Sequence, residues 1–304
     1  MTFVTIQGLA NVLYYLAAGM LYEGKPNEAI ALAKESVDLC YQIDDKKNLV
    51  LALFWHGHIS CVLGDYDIAW SSASKCLVVA EEIRDVGNIS GPLSTLGRIS
   101  LQRGHFQAAG DYLKKSEQRL RKFEDMAGAA IIIAMEVELA YLQGDYELAN
   151  VYAKEAIEIW QKQGNTPSVA GQLFQLGQIA RQQNNQDQAL IFLKRSLKLF
   201  QKLEQFQGVA QCLAGIANVA VAEDQPEEAA RHFGAAEAVL DRCGSQPEAI
   251  YESEFKPRVA LDRAEYEHNV AAVREALGSD AFLAAWTTGR ELSQELITAY
   301  VMEN

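Results

Sequence analysis

Gly19-Met20-Leu21-Tyr22-Glu23-Gly24-Lys25-Pro26 has the glycine and lysine spacing of a phosphate-binding loop. Such a loop needs a hydroxyl after the lysine to hold magnesium, and a strand before the glycines. Pro26 takes the hydroxyl position, and the repeat register described below makes this segment a turn between helices. His56 and His58 are the nearest approach to a metal pair, but side chains two apart on a helix point to different faces. His105, His232 and His268 are isolated in sequence, and no Gly-x-Ser-x-Gly or His-Glu-x-x-His is present. The five cysteines, Cys40, Cys61, Cys76, Cys212 and Cys243, form no CxxC pair, and their odd number fits no disulfide framework. They read as small hydrophobes in a reducing cytoplasm. The carboxylates stand beside Lys and Arg at helix-surface positions, where solvation is the ordinary state. These residues predict binding rather than catalysis, with no metal and no cofactor.

Composition narrows the partners. The 304 residues are 49% hydrophobic and 22% charged, a globular balance, with a net charge of −13. An acidic surface repels phosphate backbones and anionic lipid headgroups, which predicts no direct nucleic-acid partner and no membrane partner. Residues 1–22 carry no charged side chain, yet they lack a basic leader, and Gln7, Asn11 and Gly19 interrupt the apolar run. The expectation is a helix whose apolar circumference docks against a preceding repeat, a switch domain or a second copy.

Self-comparison organises the rest. A shift of 40 aligns Gly24, Gly64, Gly104, Gly144, Asn184 and Asp224, all residues that tolerate a left-handed backbone. Five residues after each stands Ala29, Ala69, Ala109, Ala149, Ala189 or Ala229, and eleven before stands Leu13, Leu53, Leu93, Ile133, Leu173 or Leu213. Apolar residues recur at helical spacing on both sides of each turn, as in Leu93, Leu96 and Ile99, then Ala149, Ala153, Ala156 and Trp160. Each unit is therefore a helical hairpin, whose early alanine lets the two helices approach closely. Polar pairs close the units at Asp44-Asp45, Arg84-Asp85, Glu124-Asp125, Gly164-Asn165 and Glu204-Gln205. The predicted organisation is six 40-residue repeats over 1–244 and a helical cap over 245–304.

Within the cap, Pro247 and Pro257 bracket a connection. Asp262 and Glu265 form a capping-box-like start, and Tyr266, Val270, Val273 and Leu277 make one apolar face ended by Gly278. Ser279 and Ser293 are expected to cap two further helices.

Leu96-Gly97, Gly104, Phe106 and Ala109 resemble the tetratricopeptide signature of a small residue, a turn glycine, an aromatic and an alanine. Leu176-Gly177 with Ala189 repeats it. The unit of 40 is longer than the usual 34 or so, and resembles the sensor arrays of ATP-dependent bacterial regulators such as the maltose regulon activator. Ala229-Ala230-Arg231 with Phe233-Gly234-Ala235-Ala236-Glu237, and Ala285-Trp286, Gly289-Arg290, Leu292-Ser293 and Tyr300, resemble the ends of nucleotide-switch signalling proteins.

That resemblance implies an all-α, right-handed superhelical solenoid with a concave face lined by the first helices. Position by position it implies partner-contacting slots at Tyr14, Tyr22, Phe54 and His58, then Arg98 and Gln102, then Glu138 and Tyr141. In the last two repeats the slots fall at Phe174, Gln178, Arg181, Gln182 and Asn218. It also implies a protein, peptide or small-molecule effector, and an upstream nucleotide-binding domain if the chain is a fragment; a free-standing scaffold is the alternative. The terminal-carboxylate clamp of chaperone-binding members would fall at Tyr14, Ala18, His58, Ser94 and Arg98, of which Arg98 alone fits.

Overall fold

The computed structural model describes residues 3–85, 87–242, 244–245 and 263–291. Among them every regular element is a helix, and they divide into two compact units, 1–139 and 140–304. The first unit holds α1 (Phe3–Tyr22), α2 (Pro26–Gln42), α3 (Lys46–Val62), α4 (Tyr66–Glu82), α5 (Ser90–Gln102), α6 (Phe106–Lys122) and most of α7 (Met126–Leu142). The second holds α8 (Tyr146–Lys162), α9 (Thr166–Gln182), α10 (Gln186–Lys202), α11 (Phe206–Ala222), α12 (Pro226–Arg242), α13 (Arg263–Leu277) and α14 (Ser279–Glu291).

The hairpins form where the register places them, and the turns show why. Gly24, Gly64, Gly104, Gly144, Asn184 and Asp224 all take positive φ, from 56° to 84°. So do the closing positions Asp44, Arg84, Glu124, Gly164, Glu204 and Gly244, from 52° to 70°. At the end of α3 the Gly64 N–H donates to the Cys61 carbonyl (3.2 Å) and the Asp65 N–H to the Ser60 carbonyl (2.9 Å), the paired bonds of a Schellman stop. The next helix is then capped by the residue after the turn. Asp45, Asp145, Asn165 and Asn185 accept from the backbone N–H three residues on. Pro26 and Pro226 open α2 and α12, where a missing N–H costs nothing.

Packing follows the same register. The six turn-following alanines and the six aliphatics of the first helices are all buried. Within the first unit α1 meets α3 and α3 meets α5; within the second α9 meets α11, so consecutive first helices lie side by side. A hydroxyl or thiol in the second helix clamps the first helix of the same hairpin. Ser36, Cys76, Ser116 and Ser196 donate to the carbonyls of Ala10, Val50, Ser90 and Ala170 over 2.7–3.2 Å. On α1, Val12, Tyr15 and Leu16 are exposed while Leu13 and Ala17 are buried, so the helix buries one face and leaves an apolar one open.

The last two helices close the second unit. Tyr266 and Val273 of α13, with Phe282 and Ala285 of α14, join the core cluster built on Leu213, Phe233 and Leu240. Val270 and Leu277 pack against it, as the apolar face predicts. Ser279 is the first helical residue of α14 rather than its cap. Gly278, at φ +76°, ends α13, and its carbonyl takes the Phe282 N–H at 3.0 Å. Cys243, Pro247, Pro257, Asp262, Leu292, Ser293 and Tyr300 lie outside the described residues.

Candidate functional site

The segment resembling a phosphate loop is a closed turn. Gly24 ends α1, Pro26 opens α2, and Lys25 is held by Glu23 at 2.9 Å. His56 contacts Ser72 Oγ at 2.9 Å, and His232 is buried with Nδ1 2.8 Å from the Glu228 carbonyl, so each serves local structure. Cys40, Cys61, Cys76 and Cys212 are buried free thiols; burial pushes Cys76 and Cys212 up to about 12, which keeps them protonated and unreactive. Among the described residues no three His, Cys, Asp or Glu side chains stand together as a metal site.

The slots inferred on the first helices separate into two groups, one in each unit. In the first unit, α3 presents Phe54 stacked on His58 (5.8 Å between rings, 20° apart), with Trp55 edge-on to His58 at 6.0 Å. Tyr22 of α1 meets Trp55 edge-on at 6.2 Å and is 82% exposed. A side chain at Gly91 of α5 would collide with the Phe54 ring, which lies 2.4 Å from that Cβ position; glycine there makes the bed for the ring. Burial holds the His58 imidazole down at about 4, and the Arg98 guanidinium opposite adds to the shift. His58 is therefore a neutral hydrogen-bonding ring at physiological pH. Tyr14 instead packs into the core with Ala10, Val37, Leu49 and Leu53, and its hydroxyl is pushed well up by burial. Gln102 is half-buried at the end of α5, and Glu138 is buried in α7.

Trp55 was not among the inferred slots. Its signal in the sequence is the run Phe54, Trp55, His58, which puts three rings on adjoining faces of one helix turn.

In the second unit the same register carries amides. Gln178 of α9 and Asn218 of α11 occupy corresponding positions, 3% and 2% exposed. Gln178 Oε1 accepts from Arg181 Nη1 at 2.6 Å, and Asn218 Oδ1 accepts from Asn269 Nδ2 of α13 at 3.0 Å. The other half of each amide, Gln178 Nε2 and Asn218 Nδ2, is buried without a hydrogen-bond partner. A buried donor left unpaired forfeits the hydrogen bond it made to water, about 1–3 kcal/mol each. Arg181 pairs with Glu265 of α13. Tyr141 lies close to both, and burial raises its hydroxyl, with Tyr146 and Glu265 adding to the effect. Gln182 hydrogen-bonds Tyr141 from an exposed position, whereas Phe174 belongs to the core beneath. The structure thus brings together Tyr141, Gln178, Arg181 and Asn218, and sets Tyr14 and Phe174 under the surface as support. What these four residues offer is directed donors around one cation, the means of holding carbonyl and carboxylate oxygens.

Among the described residues no helix is long and apolar enough to cross a membrane. A tetratricopeptide repeat model matches residues 137–202, which include Tyr141, Gln178 and Arg181. A comparison with curated proteins gives no match. Among solved structures, the chain is similar to a Signal Transduction ATPase with Numerous Domains (STAND) protein with a tetratricopeptide repeat sensor from Pyrococcus horikoshii. The TM-score is 0.68 at 15% identity, over 96% of this chain and 43% of that one. A Rap protein complexed with Competence and Sporulation Factor matches at TM-score 0.66 and 14% identity, over 95% of this chain and 75% of that one. The Rap conjugation gene regulator of plasmid pLS20, in complex with the Phr* peptide, matches at 0.55 and 14%, over 99% of both chains. At these identities the likeness is one of fold: this chain is built of tetratricopeptide-type helix hairpins, as those proteins are.

Proposed function

We propose that this chain is a non-enzymatic binding module whose first-helix surfaces take up a peptide or protein segment, and that it works as the sensor array of a regulator. The observation that carries the reading is the pair of buried amide donors, Gln178 Nε2 and Asn218 Nδ2, held in register on neighbouring helices with no partner of their own. Native proteins rarely leave such groups unpaired, and a ligand backbone supplies the acceptors that would satisfy them. The stacked Phe54, Trp55 and His58 offer a second contact of the aromatic kind that anchors peptides elsewhere.

Two of the similar structures hold a bound factor or peptide, and the third is a sensor joined to an ATPase. The 40-residue unit supports placing this chain with the sensor arrays of nucleotide-switch regulators, where a switch domain would read occupancy. A small-molecule effector with carboxylate or carbonyl groups would use the same donors. The buried thiols suit a reducing cytoplasm.

The test is selection of a random-sequence peptide library on the full chain. Enriched peptides should bind the Gln178→Ala/Asn218→Ala double variant about tenfold or more weakly, while that variant keeps its helical circular dichroism and a cooperative melt. A library that yields no binder would end this reading.

A further inference from the structure

We infer that α13 is a tethered stand-in for the ligand: its first two turns occupy the amide surface of the second unit, and a peptide bearing a carboxylate must displace them to bind. The inference rests on the peptide-binding reading above and names the ligand's chemistry and its internal competitor.

Helix α13 touches that surface with polar side chains. Glu265 pairs with Arg181, and Asn269, one turn on, donates to Asn218 Oδ1. These are the contacts a bound acidic segment would make: a carboxylate to the guanidinium and an amide to an amide. The fit is incomplete, because with α13 in place Gln178 Nε2 and Asn218 Nδ2 remain buried and unpaired. A segment that keeps the carboxylate and adds acceptors for those two donors satisfies more of the surface than α13 does.

The helix is anchored unevenly. Its second half is held by apolar contacts, with Val273 buried and Arg274 stacked 4.6 Å over the Phe282 ring of α14. Its first half has one apolar anchor, Tyr266, edge-on to Phe233 at 5.1 Å; Glu265 and Asn269 supply polar links to α9 and α11. Polar links exchange readily with equivalent groups on a ligand, whereas the apolar half has no reason to leave. The moving part is therefore Arg263–Asn269, hinged on the packed half that begins at Val270.

A labelled synthetic peptide with the α13 sequence, Arg263–Leu277, tests this against the full chain. The wild type should bind it weakly, because the tethered copy holds the site. The Glu265→Ala/Asn269→Ala double variant should bind it about tenfold or more tightly, and adding Arg181→Ala should remove that gain. Glu265→Gln, which keeps the shape of the side chain, should give a smaller gain in the same direction. A double variant with wild-type affinity, or a gain that survives Arg181→Ala, would overturn the inference. Peptides selected from the library separate the two readings. Equal binding to wild type and double variant sinks the tethered-ligand inference and leaves peptide binding standing; a surface that takes up no peptide at all sinks peptide binding itself.

Discussion

Arg181 in α9 bonds Gln178 on its own helix and Glu265 on α13 at once, so a single guanidinium joins the amide surface to the helix that covers it. Its side chain is 10% exposed, and Arg181→Ala would leave Glu265 without its cation. The expected cost is about 2 kcal/mol of local stability, within the range for a hydrogen bond to a charged group. Amide hydrogen exchange over Arg263–Asn269 should speed up roughly 30-fold, while α14 exchanges as before. Uniform exchange across α13 and α14 in both proteins would show that the pair does not hold α13 down.

The hydroxyl clamps are expected to stabilise the hairpins one at a time. Ser196 Oγ donates to the Ala170 carbonyl at 2.7 Å from a fully buried position. Ser196→Ala should lower the unfolding free energy by about 1 kcal/mol, the net worth of one hydrogen bond. Ser116→Ala, which removes the same contact to Ser90 in the first unit, should do likewise. Urea denaturation reads both, and an unchanged midpoint in either variant would mean that the carbonyl loses nothing.

The helices and turns were legible in the sequence because one physical requirement repeats every 40 residues. Each hairpin needs a left-handed residue to stop its first helix and a small one to admit the second, and glycine, asparagine and alanine advertise those needs. The closing turns were visible only as polar pairs. Arg84, Glu124 and Glu204 take left-handed φ at a cost of roughly 1–2 kcal/mol each, and nothing in their chemistry announces it. The serine and cysteine clamps hid for a different reason: a hydroxyl at one position per repeat has no signature until its carbonyl partner, 26 residues earlier, is known. The site divides the same way. Gln178 and Asn218 were slots that the family resemblance implied, but Glu265 meets Arg181 across 84 residues, and no periodicity reports a contact of that range. The apolar face of α13 was readable; its polar grip was not.

Close backbone approach between α12 and α14 makes two glycines sensitive. A Cβ at Gly234 would stand 2.3 Å from the Trp286 carbonyl oxygen, and one at Gly289 would stand 1.9 Å from that of Arg231. Backbone cannot yield as a side-chain tip does, so Gly289→Ala should push α14 off its seat and cost about 3 kcal/mol, the upper range of overpacking. Trp286 fluorescence would red-shift as its ring leaves the Phe233 and Phe282 cluster. Native fluorescence and unchanged stability in Gly289→Ala would refute the close approach.

His58 gives the first unit a pH dependence. Burial, and then the Arg98 charge, hold its folded value down at about 4, while in the unfolded chain it protonates near the ordinary 6.5. Between those values the unfolded state binds the extra proton, so the stability that neutral His58 contributes is complete above about 6.5 and drains away as pH falls toward 4. His56 and His232, also lowered by burial, act in the same direction. His58→Gln should therefore reduce the slope of urea midpoint against pH in this window without abolishing it. A slope equal to the wild type's would mean that His58 titrates normally in the folded protein.

The most direct test of the account is to watch the two unpaired amides while a ligand binds. In a heteronuclear NMR titration of the isotope-labelled chain with a library-selected peptide, the side-chain NH2 signals of Gln178 and Asn218 are assigned by their loss in Gln178→Ala and Asn218→Ala. The account predicts that both signals move on saturation, and move together with those of Arg181. A peptide that binds tightly while both amide signals stay in place would contradict it.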